Sequence, residues 1–278
     1  MKYVEANLPE TLSYVDLWCV SDIHRGHRLH HEKAWHALLD RIREDPHAYM
    51  VLNGDLVEAA LKSSRHGDVY RSMAPGKERR ILVKELEPVR HKILAVTSGN
   101  HEARHKDSDE DPAQLIAERL GIEDRYDRTA VVLEVAFGRK HGQKGVPTSY
   151  TFYVTHGQGS GRRPGARINR MQELAWIIEG VDGYIMGHVH DPMVRIEYRH
   201  VADPRNRTIG VRPVAYVIAG SLLRYGDYAE EKMLAPNANT FPVLRLHQRR
   251  RGDKHKQMEA IMATEIRRVA EKVEKKTA

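Results

Sequence analysis

The stretch Met50-Val-Leu-Asn-Gly-Asp55 is an apolar run that stops abruptly, and it constrains the fold more than any other segment. Such a run reads as a buried strand leaving its sheet, with Gly54 allowing a sharp exit and Asp55 presented at the strand's carboxyl end. Asp55 is thereby offered to a crevice. One carboxylate can hold two cations together by placing an oxygen on each, and Asp55 is expected to be that bridge.

Four further strand-like segments end in the same manner. Asp16 to Asp22 runs into Ser21-Asp22-Ile23-His24, His91 to Thr97 into Ser98-Gly99-Asn100-His101-Glu102, Tyr150 to Thr155 into His156-Gly157, and Gly183 to Met186 into Gly187-His188-Val189-His190. Asp22 and His24 are two apart, as are His188 and His190, so on an extended backbone each pair faces one side. In a chain with 17 histidines any one of these is unremarkable by itself. Recurrence at five strand ends points to a single crevice, because α/β folds bind ligands at the carboxyl ends of their strands.

Between these segments the spacing predicts helices over Lys33 to Arg43, Glu78 to Val89 and Ala113 to Leu120, and strands over Ala130 to Phe137, Val194 to Tyr198, Val214 to Ile218 and Val243 to Leu246. Ser63 to Gly76 carries Arg65, His66, Tyr70 and Arg71, and reads either as a rim beside the crevice or as a solvated loop. Gly157 to Arg170 combines four glycines with Arg162, Arg163, Arg167 and Arg170, then leads into a helix through Leu174, Ile177 and Ile178. Glycines let backbone amides approach an anion and arginines pair with phosphate oxygens, so Arg162, Arg163 and Arg167 are candidate substrate contacts; a basic surface loop is the alternative.

One domain is expected over residues 1–250, followed by a basic amphipathic helix over 251–278 with Met258, Ile261, Met262, Ile266, Val269 and Val273 as its stripe. That helix is expected to dock on the body; homodimer formation and nucleic-acid contact are the other readings. The formal charge is +7, yet from Arg245 onward 11 Lys and Arg face 5 Asp and Glu, so the excess belongs to the tail. No run of about 18 apolar residues and no leader-like N-terminus is visible, which excludes a membrane span from the expectations and favours a cytoplasmic protein. Cys19 is the single cysteine, lies in an apolar run and is read as core.

The order Asp-x-His, Gly-Asp, Gly-Asn-His-Glu, His-Gly, Gly-His-x-His, spanning Ser21 to Asp191, resembles the calcineurin-like metallophosphoesterase superfamily. The resemblance implies an α/β fold of four layers, two packed β-sheets flanked by helices, here with a C-terminal helical tail, and a dinuclear metal site. It assigns Asp22, His24 and His190 to one metal, Asn100, His156 and His188 to the other, and Asp55 to both. It gives His101 a role at the transition state or in protonating the leaving oxygen, and leaves Glu102 as a partner for a histidine or a backbone amide. Mixed imidazole, carboxylate and amide ligands suit manganese, iron or zinc better than magnesium; two Mn2+ ions are expected, acidifying a water for attack at phosphorus.

The protein serine/threonine phosphatase branch reads Gly-Asp-x-Val-Asp-Arg-Gly, whereas Asp55 is followed here by Leu56-Val57-Glu58-Ala59-Ala60, so that branch's phosphate-gripping arginine is missing. The leading expectation is a phosphodiesterase acting on DNA or RNA, a nuclease. A small-nucleotide or cyclic-nucleotide phosphodiesterase and a phosphomonoesterase are the alternatives, and a non-catalytic binding scaffold is disfavoured because no expected ligand is substituted.

Overall fold

The computed structural model describes residues 1–62, 64, 72–108, 110–141, 146–159, 163–226, 230, 236, 239–249 and 256–264. Along the chain these form β1 (Lys2–Asn7), β2 (Tyr14–Val20), α1 (Glu32–Glu44), β3 (Ala48–Asn53), α2 (Pro75–Leu86), β4 (Ile93–Thr97), α3 (Pro112–Arg119), β5 (Tyr126–Asp127), β6 (Ala130–His141), β7 (Val146–Thr155), α4 (Pro164–Glu173), β8 (Gly183–Met186), β9 (Met193–Asp203), β10 (Thr208–Ile218), β11 (Thr240–His247) and β12 (Met258–Thr264). Two six-stranded sheets result, in the orders β1-β6-β7-β8-β10-β9 and β12-β11-β2-β3-β4-β5.

The central strands are apolar on both faces because both faces are covered. Along β2, Val15, Leu17 and Cys19 point between the sheets, against Leu133, Phe152, Ile185 and Val217, while Trp18 and Val20 point at the helices. Trp35, Leu38, Leu39 and Ile42 form the buried stripe of α1, whose first turn is closed by the His31 side chain accepting from the Ala34 amide. Asp111 caps α3 by accepting from the amides of Ala113 and Gln114, with Pro112 next in a helix-initiating position. On the far side of the other sheet Met171 and Leu174 cover Tyr184 and Tyr216. The layers are therefore helix, sheet, sheet, helix, as expected from the resemblance.

Strands β2, β3 and β4 run parallel in one sheet, and β7, β8 and β10 run parallel in the other. Their carboxyl ends all reach one edge of the sandwich, and this places the crevice.

Three expectations are corrected. Met258–Thr264 is an edge strand paired antiparallel with β11, not a helix. Its period of two sets Met258 against the core between the sheets and Ile261 and Ala263 against the helix-side core. The unit 1–250 thus continues into 256–264, and residues 265–278 of the expected tail helix lie outside the described residues. Secondly, the glycine and arginine loop becomes helical at Pro164, so Arg167 and Arg170 sit on α4. Thirdly, the stripe assigned to Leu174, Ile177 and Ile178 is not a helical face: α4 ends at Glu173, a 3-10 turn follows, and Ile177 is exposed. β1 was not foreseen, because its alternating pattern includes exposed residues at a sheet edge.

Candidate metal centre

Each candidate ligand follows the end of a parallel strand within a few residues: Asp22 and His24 after β2, Asp55 after β3, Asn100 after β4, His156 after β7, His188 and His190 after β8. Three backbone bonds join the first two turns: Asp22 N–H to the Gly54 carbonyl at 3.1 Å, His24 N–H to Asp55 O at 2.9 Å and Arg25 N–H to Leu56 O at 3.0 Å. The two-apart pairs converge through left-handed turns rather than through the pleat of a strand. Of the seven non-glycine residues with positive φ among the described residues, five are Asp22, His24, Asp55, His188 and His190, with φ between 47° and 67°. Each such residue costs about 1–3 kcal/mol, strain characteristic of functional sites. Gly99 is required at its place by close approach, since a Cβ there would collide with the Asp55 carboxylate and amide.

The polar atoms fall into two groups around Asp55. In one, Asp22 Oδ1 lies 2.9 Å from His190 Nε2, which lies 3.3 Å from His24 Nε2. In the other, Asn100 Oδ1 is 2.7 Å from His188 Nδ1 and 3.2 Å from His156 Nε2. Asp55 Oδ2 reaches towards both, 3.9 Å from His24 Nε2 and 3.4 Å from His156 Nε2, while Oδ1 accepts the His101 amide at 2.8 Å. A single oxygen therefore faces both groups.

With the rings neutral, these contacts suit cations better than hydrogen bonds. His156 Nδ1 donates to the Asn53 carbonyl at 2.8 Å, and His24 Nδ1 contacts Glu58 Oε2 at 3.0 Å. In the neutral rings Nε2 is then a lone pair, yet His156 Nε2 faces two acceptor oxygens and His24 Nε2 faces another ring nitrogen. Asp22 Oδ1 is fully buried and has no partner with hydrogen-bond geometry, although Oδ2 accepts the His188 amide at 3.0 Å. A buried carboxylate oxygen facing a ring nitrogen, among other converging nitrogen and oxygen atoms, is the donor set a borderline divalent metal takes.

Glu58 and Glu102 hold this arrangement in place. Glu102 accepts four backbone amides, Gly99 and Asp55 on Oε2 at 2.8 and 2.9 Å and Leu56 and Val57 on Oε1 at 2.7 and 3.2 Å, so its partner is backbone and not a histidine. Burial and the Asp55 carboxylate push its carboxyl up to about 7, against the pull of the amides. Glu58 lies between His24 and His101, 3.0 Å from one Nδ1 and 3.2 Å from the other. Burial disfavours its charge, but those imidazoles outweigh burial and keep it ionised. Its role was not foreseen; three residues after Asp55, its acidic type in an otherwise apolar segment was the available signal.

Of the candidate substrate contacts, Arg167 ion-pairs with Asp191 beside His190, Arg163 is exposed at the start of α4, and Arg162, like Arg65 to Arg71, lies outside the described residues. The crevice thus gathers all seven candidate ligands and His101, and does not gather Arg163.

The family profile described as calcineurin-like phosphoesterase matches residues 15–220, about three quarters of the chain and every strand end of the crevice. The chain belongs to the calcineurin-like phosphoesterase family. It is therefore a metal-dependent phosphoester hydrolase of a family that works with two metal ions. No curated protein matches the sequence significantly. Among solved structures, this phosphoesterase is similar to a predicted phosphoesterase from Streptococcus pneumoniae at 12% identity and TM-score 0.36, covering 90% of this chain and 100% of that one. It is also similar to a metallophosphoesterase from Sphaerobacter thermophilus at 15% identity and TM-score 0.37, covering 87% and 88%, and to Vps29 from Chaetomium thermophilum at 13% and 0.35, covering 91% and 98%.

With no cation bound, the buried carboxylates would hold a proton on the His156 imidazole. Burial lowers His156, but Asp55 and Asp22 outweigh it and lift the ring to about 10; burial raises Asp22, but His190 and His156 hold it at about 2. At pH 7 a metal must then displace the His156 proton, so affinity rises by about tenfold per pH unit between pH 7 and 9 with release of one proton. Calorimetric titration with Mn2+ in buffers of different ionisation enthalpy checks this, and a pH-independent affinity contradicts it. With no cation bound, the same raised value would stabilise the fold below the unfolded-state value near 6.5, an effect lost as pH rises through about 10.

Proposed function

We propose that this chain is a phosphodiesterase acting on nucleic acid through a two-ion centre, with Mn2+ as the working metal. Asp22, His24 and His190 would hold one ion, Asn100, His156 and His188 the other, and Asp55 both. The observation that carries this reading is the position of Asp55 Oδ2 between the two groups of converging ligand atoms. When bound, the ions supply Lewis acidity at phosphorus and lower the pKa of water at neutral pH.

The chain's own residues orient and exclude. Asn53 and Glu58 fix the ring orientations of His156 and His24, and the amides on Glu102 fix the turn that presents Asp55. His101 stands at the mouth, its Nδ1 3.0 Å from the Glu58 carbonyl and its Nε2 3.9 Å from Asp55 Oδ2. From there Nε2 addresses the leaving oxygen of a bound phosphoester. Arg167 at the rim beside His190, with the arginine-rich sequence before it, supports a polyanionic substrate. The buried free thiol of Cys19 supports a reducing, cytoplasmic setting. No helix among the described residues is long and apolar enough to cross a membrane.

Turnover of bis(p-nitrophenyl) phosphate and p-nitrophenyl phosphate by the Mn2+-loaded protein, with labelled single- and double-stranded DNA in parallel, tests the reading. Cleavage of the diester and of DNA is expected. Diester cleavage with intact DNA moves the substrate to a small nucleotide, and a preference for the monoester overturns the phosphodiesterase assignment.

A further inference from the structure

Ala59 stands where the serine/threonine phosphatase motif has its arginine, and its methyl group is buried in the helix-side core. A guanidinium reaches the neighbouring Glu58 from another element. Arg104 lies on the 3-10 turn Glu102–Ser108, with its amide donating to the His101 carbonyl at 3.2 Å. Its Nη1 donates to the Glu58 carbonyl at 3.0 Å and to Glu58 Oε1 at 3.2 Å. Its Nη2 sits 3.0 Å from His101 Nε2, the nitrogen that faces Asp55 Oδ2.

The bond to Glu58 is not needed to satisfy that carboxylate. Oε2 is within 3.0 Å of His24 Nδ1, and Oε1 is within 3.2 Å of His101 Nδ1. What Glu58 does is hold the guanidinium with one edge at the crevice mouth, where the side chain remains 24% exposed. A permanently charged planar donor held in advance beside the reacting group is suited to a phosphoryl oxygen, because little ordering remains to be done on binding.

We propose that Arg104 is a substrate-binding residue whose Nη2 takes a non-bridging phosphoryl oxygen next to His101. This rests on the reading of the crevice as a phosphodiesterase centre, and it names the group that orients the phosphoryl there. On binding, the Nη2 donor passes from His101 Nε2 to the substrate oxygen. Nη1 stays on Glu58 throughout.

The test compares Arg104→Ala, Arg104→Gln and Arg104→Lys with wild type in the Mn2+-loaded full chain, by calorimetric binding of inorganic phosphate and by kcat and KM on bis(p-nitrophenyl) phosphate. Phosphate affinity is expected to fall about 10- to 100-fold in Arg104→Ala, as for loss of a charge-assisted hydrogen bond. Diester kcat/KM should fall about 100-fold or more, with Arg104→Lys intermediate and exogenous guanidinium restoring part of the loss in Arg104→Ala. Bound manganese and melting temperature should match wild type. Arg104→Gln keeps a donor for Glu58 and gives the same answer should the alanine variant not fold. Unchanged phosphate affinity and KM, or a loss that follows lost manganese, overturns the proposal. If the wild type hydrolyses no phosphoester while Arg104→Ala still weakens phosphate binding, the proposed function fails and the role of Arg104 stands.

Discussion

Asp55→Asn is expected to abolish turnover and to empty both metal positions. The substitution removes the one anion that faces both groups of ligands, and geometry makes it worse than neutral. Oδ1 accepts the His101 amide, so the asparagine oxygen must take that place and its NH2 must take the place of Oδ2. There it points hydrogens at His24 Nε2 and His156 Nε2, 3.9 and 3.4 Å away, the lone pairs a metal needs. A Lewis acid at phosphorus supplies several kcal/mol, so kcat should fall by about 10³-fold or more. Elemental analysis beside the kinetics checks the cause: a variant retaining both ions and much of its turnover would remove Asp55 from the centre.

Glu102→Ala carries the largest expected effect on stability. The wild-type carboxylate accepts the amides of Gly99, Asp55, Leu56 and Val57 at a fully enclosed position. Truncation orphans all four, and one unsatisfied buried donor costs about 1–3 kcal/mol. Allowing for relaxation, the loss should reach about 4 kcal/mol, a drop of roughly 8–16 °C in melting temperature for a chain of this size. Glu102→Gln should fall between the two, since one oxygen still accepts while the amide NH2 meets two donors. Thermal unfolding with and without Mn2+ measures both. A melting temperature within a degree or two of wild type for Glu102→Ala would mean that the turn carrying Asp55 does not depend on this carboxylate.

The convergence of the candidate ligands was legible in the sequence because each one interrupts an apolar strand at its carboxyl end, where Leu52, Val96, Val154 and Met186 are buried and the next residues are polar or glycine. Burial of a strand and exposure of its end are both written in local residue type. The residues that support the ligands were not legible to the same degree. Glu58 acts on His101 and Arg104 acts on Glu58 across 43 and 46 positions, through a left-handed turn at Ala59 and a 3-10 turn after His101 that no periodicity announces. β12 failed for a different reason. Met258, Ile261 and Met262 satisfy a helical stripe as well as a strand covered on both faces, and the choice was made by the open edge of the preceding strand, β11. Arg167 was singled out for its charge, but whether an arginine faces a substrate or a neighbouring carboxylate depends on tertiary placement, here beside Asp191.

Electron paramagnetic resonance of the Mn2+-loaded protein tests the dinuclear centre most directly, because two Mn2+ ions sharing one carboxylate about 3.5–4 Å apart are magnetically coupled. The wild type should show the spectrum of a coupled pair at two ions per chain, replaced in Asp55→Asn by no bound manganese. A wild-type spectrum of isolated Mn2+ at saturating metal would contradict a centre bridged by Asp55.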